Sequence, residues 1–324
     1  TDLDGTYYWY GENKEKTTGK DDIWHWGVRC YTSKDLYNWE DKGLIIPPET
    51  ADPTSSIHPT SMMDRPHIIY NKDTKKFVCW LKIMNRDDSQ SETILTADNI
   101  LGPYEKVREG LRPLNMSAGD FDLAVAPDSK AYYYFERVHS ETICADLTAD
   151  YTDVTGYYTT HFPNKYPPFV REATSHFIRK SKHYLVTSGT SGYLPNPSEV
   201  AIADTWHGPY TVLGNPHPQD ESHTSYHSQI SCVFKVEGKK DLYIAMADRW
   251  LPELMDYKYD RYAKAFEQFF NPNYEGEKID IVKEFGNDSK RNTSIANYVW
   301  LPFRFDGEMA YLDWKDEWRI EDYQ

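Results

Sequence analysis

A turn followed by an aromatic-rich strand recurs along this chain, and that repetition constrains the fold more than any other feature. It occurs as Asp4-Gly5 before Tyr7-Tyr8-Trp9-Tyr10, Lys75-Lys76 before Phe77-Val78-Cys79-Trp80, and Ser129-Lys130 before Tyr132-Tyr133-Tyr134-Phe135. Further copies are Lys182-His183 before Tyr184-Leu185-Val186 and Lys239-Lys240-Asp241 before Leu242-Tyr243-Ile244, with a sixth from Asp306 to Trp314. A second element follows the first: a small residue, an aspartate, then an aromatic. Its instances are Ser33 to Trp39, Ala97-Asp98 to Tyr104, Ala145-Asp146 to Tyr151 and Ala203-Asp204 to Tyr210. Asp35, Asp98, Asp146 and Asp204 are separated by 63, 48 and 58 residues, a spacing that suits four-stranded sheets carrying loops of unequal length. The expectation is an all-β, five-bladed β-propeller forming a single domain over residues 1–324. A β-sandwich would also space its hairpins regularly, but it gives no reason for two elements to recur in one order. The sixth aromatic strand, ending in Tyr311-Leu312-Asp313-Trp314, is expected to close the ring against the N-terminal blade.

One stretch breaks the pattern. Between Asp256 and Phe270, apolar residues fall at Tyr259, Tyr262, Ala263, Phe266, Phe269 and Phe270, which is helical spacing, and Asn271-Pro272 ends it. Residues 256–294 therefore read as a helical and loop insertion on the last blade, there for packing rather than for function.

Composition narrows the partners. The 26 Tyr and 10 Trp favour strands, and the formal charge of -15 opposes binding to nucleic acid or to an anionic membrane. A neutral ligand fits better. Cys30, Cys79, Cys144 and Cys232 lie far apart in strand-like runs without a CxxC, so buried free thiols are expected, with one or two disulfides as the alternative. No apolar run approaches a membrane span and no leader segment is read at the start, which leaves the compartment open.

In a propeller, polar residues just before the innermost strands converge. On that logic the candidates are Glu12 after the first aromatic strand, Asp64-Arg65 before His67, Asp120 and Asp122 before Leu123, and Glu136 after the third aromatic strand. The fourth repeat offers Arg171-Glu172 before the hairpin His176-Phe177-Ile178, Lys180-Ser181-Lys182, Tyr184 to Thr187, and the polar loop Ser188 to Ser191 follows it. The fifth offers His227-Ser228-Gln229 and Asp248-Arg249-Trp250. Each alone reads equally well as a strand-end cap. As a set, carboxylates around an aromatic-lined pocket suit glycoside hydrolysis, in which one carboxyl protonates the leaving oxygen and a second group activates water. Trp24, Trp26, Tyr193, Trp250 and Trp300 are available to pack on sugar rings.

The segments YYWYGE (Tyr7–Glu12), SKDLYNWEDKGL (Ser33–Leu44), DRPHIIYN (Asp64–Asn71), REATSHF (Arg171–Phe177), TSGTSGYLPNP (Thr187–Pro197), SQIS (Ser228–Ser231), DRW (Asp248–Trp250) and YVWLPF (Tyr298–Phe303) resemble glycoside hydrolase family 43. The resemblance is greatest to its exo-β-1,3-galactanase branch and runs in order along nearly the whole chain. It implies a five-bladed propeller that releases a terminal neutral sugar with inversion, galactose from the β-1,3-galactan of arabinogalactan. Glu172 then matches the general acid, Asp120 the aspartate that tunes the acid and orients substrate, and Gln229 the glutamine standing where a base is needed. Glu12, Asp64, Arg65, Glu136, Thr190, Tyr193, Arg249 and Trp300 are the expected substrate-binding residues.

Two departures from the branch keep alternatives open. Asp64 stands where a glutamate is usual, one methylene shorter, which would suit an α-L-arabinofuranosidase or β-D-galactofuranosidase. Most of the family also carries its aspartate base on a strand upstream of YYWYGE. Asp2 and Asp4 stand nearest to that place, and Asp4-Gly5 reads as a turn. A non-catalytic carbohydrate-binding propeller and a protein-interaction propeller are the readings from other classes. Some family members hold a calcium ion or water in the channel beside a histidine, a place His227 matches by position. No carboxylate-rich calcium loop is present, and no metal or cofactor is expected. The expected partner is a neutral plant-type oligo- or polysaccharide.

Overall fold

The computed structural model describes residues 4–286 and 292–324. Its strands form five antiparallel sheets, each made of strands consecutive in the chain. The first holds β1 (Tyr7–Glu12), β2 (Val28–Ser33) and β3 (Glu40–Ile46). The second holds β4 (Met62–Asn71), β5 (Lys76–Met84), β6 (Gln90–Ala97) and β7 (Glu105–Leu111). The third holds β8 (Ala118–Val125), β9 (Ala131–Arg137), β10 (Glu141–Leu147) and β11 (Val154–His161). The fourth holds β12 (Arg171–Arg179), β13 (Lys182–Gly189), β14 (Ser198–Ala203) and β15 (Thr211–Gly214), and the fifth β16 (Gln229–Lys235), β17 (Tyr243–Arg249), β18 (Asn297–Asp306) and β19 (Met309–Leu312). This succession of up-and-down sheets is a five-bladed β-propeller, as the repeat predicts.

The chain divides into two compact units, Thr1–Tyr133 with Ala145–Tyr157, and Tyr134–Cys144 with Tyr158–Gln324. In the first unit, Val28, Cys30, Ile45, Met63, Cys79 and Leu81 form a core between the first and second sheets. In the second unit, Phe177, Tyr184, Val186, Tyr243, Leu301 and Phe303 do the same for the fourth and fifth, with the Phe177 and Tyr184 rings stacked at 4.8 Å. Strands such as β5 and β13 are buried along nearly their whole length. Both of their faces are covered, which is why the aromatic strands read as continuous apolar runs rather than alternating ones. The four cysteines are free thiols, three of them buried.

Local chemistry accounts for the connections. Lys180 and Ser181, both with positive φ (49° and 62°), join β12 to β13 in the tight turn whose twist matches a hairpin. The sixth aromatic strand corrects an expectation. β19 does not pair with the first sheet; Gly307 (φ 60°) turns the chain straight back, and β19 pairs with β18 through Phe303↔Leu312 to Asp306↔Met309. The expected helix is α1 (Tyr259–Phe270), starting at the first residue of the apolar pattern, three residues after Asp256. It ends where expected: Asn271 donates its backbone N–H to Glu267 across 2.7 Å, and Pro272 has no N–H with which to continue. A short α2 (Ile281–Phe285) follows, capped by the Asp280 side chain.

Candidate active site

The same device positions the candidate residues in three sheets. In β12, Glu172 pairs with Ser188, and the register slips before Ser175 with Ala173 at φ 50°. In β4, Asp64 pairs with Lys82 and the register slips before His67 with Arg65 at φ 49°. In β16, Gln229 pairs with Asp248 and the slip falls between Ile230 and Cys232. These residues lie within their strands, not ahead of them, each just before a bulge. A bulge bends the strand and re-aims the neighbouring side chain, while the ladder on either side fixes its place.

In the second unit, Gln229 links the elements. Its Nε2 donates to Glu172 Oε1 (3.3 Å) and to Ser188 Oγ (3.0 Å), and its Oε1 accepts from Trp250 Nε1 (3.3 Å). An indole N–H only donates, so it fixes which end of the amide is oxygen. Next to Glu172, the partly buried Arg171 donates from Nε to Thr187 Oγ1 (3.0 Å) and from Nη2 to the Thr187 carbonyl (2.8 Å). Burial pulls the Arg171 guanidinium below its usual pKa, against the opposing charge of Glu199.

The loop from Thr187 to Pro197 is pinned from within. Asn196 accepts from Gly189 N–H (2.6 Å) and donates to the Gly189 carbonyl (2.7 Å) and Ser191 Oγ (2.6 Å). A Cβ on Gly189 would lie 2.7 Å from the Pro168 carbonyl oxygen, so only glycine allows this approach. Thr190, 4% exposed, donates its hydroxyl to the Val170 carbonyl (3.1 Å), so that group serves the loop. Tyr193 meets Trp250 edge-on at 5.7 Å. A small recess beside these rings is lined by Tyr193, Asn196, His227, Gln229, Asp248 and Trp250.

In the first unit, Asp120 is the centre of a buried charge cluster. Lys82 Nζ lies 2.7 Å and Arg65 Nε 2.9 Å from Asp120 Oδ1, and Lys82 also faces Asp64 Oδ2 at 3.6 Å. Burial would raise the Asp120 pKa, but the Arg65 and Lys82 charges outweigh it and hold the carboxylate well below its usual range. Lys82 shifts in the opposite sense: burial opposes its charge, and Asp120 and Asp64 more than restore it. Trp24 Nε1 donates to Asp64 Oδ1 at 3.0 Å. Glu12 sits by Asp64 with Lys14 Nζ at 3.1 Å; burial and the neighbouring carboxylate push its pKa up to about 8, against Lys14. Glu12, Asp64, Arg65 and Asp120 thus belong to one cluster.

Lys82 is the member that sequence reasoning missed. The available signal was a single lysine inside the apolar run of β5, KFVCWLKIM. Beneath it, the fully buried Glu92 is its cross-strand partner and accepts from Tyr133 Oη at 2.8 Å.

The remaining candidates have local roles. Glu136 accepts from the His139 backbone (2.8 Å), and Arg249 Nη2 donates to the Tyr226 carbonyl (2.9 Å). Trp300 lies on β18 opposite Met246, and Lys16 covers the Trp26 ring at 3.5 Å. Asp4 is an exposed turn residue accepting from Thr6 N–H (2.9 Å), as its sequence suggests, and Asp2 lies outside the described residues. Among the described residues no group of three or more His, Cys, Asp or Glu side chains is placed to hold a metal ion.

A five-bladed propeller with carboxyl groups set just before strand bulges is built as a glycoside hydrolase. The chain belongs to the glycosyl hydrolases family 43, whose model matches residues 1–249. A family 43 β-1,3-galactosidase shares the fold with a TM-score of 0.74 and 27% identity, over 100% of this chain and 59% of its own. A second, solved with galactodeoxynojirimycin, gives 0.76 and 24% over 99% and 94%. An exo-β-1,3-galactanase from Phanerochaete chrysosporium, solved with galactose, gives 0.72 and 20% over 96% and 61%. This chain therefore spans 59% of the length of the first of these proteins. No curated protein matches the sequence.

Proposed function

We propose that this glycoside hydrolase is exo-acting and inverting, and that it releases terminal galactose from β-1,3-galactan with Glu172 as general acid. The observation that carries the reading is the hydrogen bond from Gln229 Nε2 to Glu172 Oε1. An acid whose one oxygen accepts from a fixed amide carries its proton on the other, so the direction of proton delivery to the glycosidic oxygen is set before substrate arrives. The galactosidase and galactanase activities of proteins with this fold support galactose as the sugar. Asp120, kept anionic by Lys82 and Arg65, has the charge state that its expected orienting and tuning role requires. Tyr193 and Trp250 supply apolar faces for a pyranose ring.

The test is chromatography of the sugars released from β-1,3-galactan and from arabinan by the parent and by Glu172→Gln. Galactose from the parent, lost in the variant, is the expected result. Arabinose would transfer the reading to a furanosidase, and sugar binding without turnover would make the protein a binding module.

A further inference from the structure

Both ends of the Gln229 amide are engaged, with Glu172 and Ser188 on the nitrogen and Trp250 on the oxygen. An amide nitrogen has no basic lone pair. Gln229 also stands at hydrogen-bond distance from the acid, whereas an inverting pair is separated by about 6.5–9.5 Å so that water fits between. These facts make Gln229 a positioning residue.

We infer that Asp248 is the general base that activates the attacking water. The inference rests on the hydrolase reading above. Asp248 is the direct cross-strand partner of Gln229 in the β16–β17 ladder. Directly opposed residues project from the same face, with Cβ atoms about 4.5–5.5 Å apart. Trp250 follows just beyond the end of β17, and its indole reaches the Gln229 amide. Glu172 is thus one hydrogen bond and one cross-strand step from Asp248, and the inference requires their carboxyl groups to stand about 6.5–9.5 Å apart.

Gln229, Asp248, Trp250, Tyr193, His227 and Asn196 line one recess, with about 10 Å³ of room at its base, enough for one water. Among the described residues lining it, Asp248 carries the one carboxylate. The other charged or titratable groups about it are Tyr193 and His227 in the lining, Tyr298 opposite Asp248 on β18, Glu172 behind Gln229, the Asp220 and Asp256 carboxylates acting on His227, and Arg249, whose guanidinium turns to the Tyr226 carbonyl. In the step, the water oxygen bonds to the anomeric carbon as one water proton passes to the Asp248 carboxylate. The bond from that carbon to the leaving oxygen breaks, its electron pair stays on the oxygen, and that oxygen takes the proton of Glu172. Asp248 then returns its proton to solvent and Glu172 recovers one.

The test compares the parent, Asp248→Asn and Asp248→Glu on β-1,3-galactooligosaccharides and on arabinan, recording kcat, KM, thermal melts and the pH profile, with and without sodium azide. Asp248→Asn should lose about 10³-fold in kcat at near-parental KM, lose the acidic limb of the profile, and recover rate with azide as an α-glycosyl azide is formed from a β-linked substrate. Parental kcat with the acidic limb intact would overturn the inference. Should Asp248→Asn fail to fold, Asp248→Glu decides: kcat about 10- to 100-fold lower at unchanged KM supports the role, and parental kcat overturns it. If the parent acts on arabinan alone, the galactose reading fails, while the Asp248 comparison still stands on that substrate.

Discussion

Glu172 and Gln229, which lie 57 residues apart in the sequence, meet through a hydrogen bond of 3.3 Å, and the same amide nitrogen reaches Ser188 at 3.0 Å. Three strands are thereby tied at the proposed acid: β12 supplies Glu172, β13 Ser188 and β16 Gln229. Gln229→Ala should leave the Glu172 carboxyl in place but without its fixed direction. A kcat about 10- to 100-fold lower with little change in KM is expected, together with altered Trp250 fluorescence as the indole loses its acceptor. Steady-state kinetics and emission spectra check both. An unchanged kcat would mean that the amide does not orient the acid.

Lys82 is the cation between Asp120 and Asp64, with a side chain only 9% exposed. Removing one partner from a buried ionic cluster leaves the others uncompensated, at a cost of about 3–5 kcal/mol. Lys82→Met should therefore lower stability by that order in denaturant titration. Arg65 still holds Asp120 in the variant, so folding should survive in dilute buffer. A loss below about 1 kcal/mol would show that the cluster is not coupled as its distances imply.

Glu12 gives a pH dependence whose sign is fixed. Its folded-state pKa, about 8, lies above the 4.5 of an ordinary glutamate, so the folded chain holds a proton that the unfolded chain has already lost. The stability it contributes is full below about pH 4.5 and is lost as pH rises through 8. Glu12→Gln carries no such proton. Between pH 5 and 8.5 the parent should lose several degrees of Tm relative to the variant, at about 2–4 °C per kcal/mol. Parallel Tm curves would place Glu12 in a more solvated setting than its contacts indicate.

Local pattern made the sheets legible, because an aromatic strand after a turn is specified by neighbours in sequence. The Lys180-Ser181 turn, the end of α1 at Asn271 and the free cysteines follow from that level. What stayed hidden depends on distant partners. Arg65 and Ala173 adopt positive φ without being glycine, so the bulges that bring Asp64 and Glu172 inside their strands have no composition signal. Lys82 is tolerable in an apolar strand only because Asp120 and Asp64 come from two other strands. β19 resembles the other aromatic strands, and only the Gly307 turn decides that it pairs with β18. Family likeness located Gln229, but hydrogen-bond geometry shows how its amide is engaged.

The insertion, read from sequence as packing alone, packs against the candidate site. Tyr262 of α1 is buried with Leu194 and Leu251, and Tyr193, Trp250 and Phe266 lie against the same cluster. At its N-terminus, Tyr259 N–H donates to the Ser222 carbonyl at 3.0 Å. Packing that fixes Tyr193 and Trp250 fixes the rings proposed to receive the sugar. Phe266→Ala would remove a half-buried ring from behind them without opening the main core. Its stability cost should stay under the roughly 3–5 kcal/mol of a fully buried phenylalanine. KM should rise several-fold while kcat stays within about threefold, since binding and not chemistry is disturbed. A variant with parental KM and only a lower Tm would return α1 to a purely structural role.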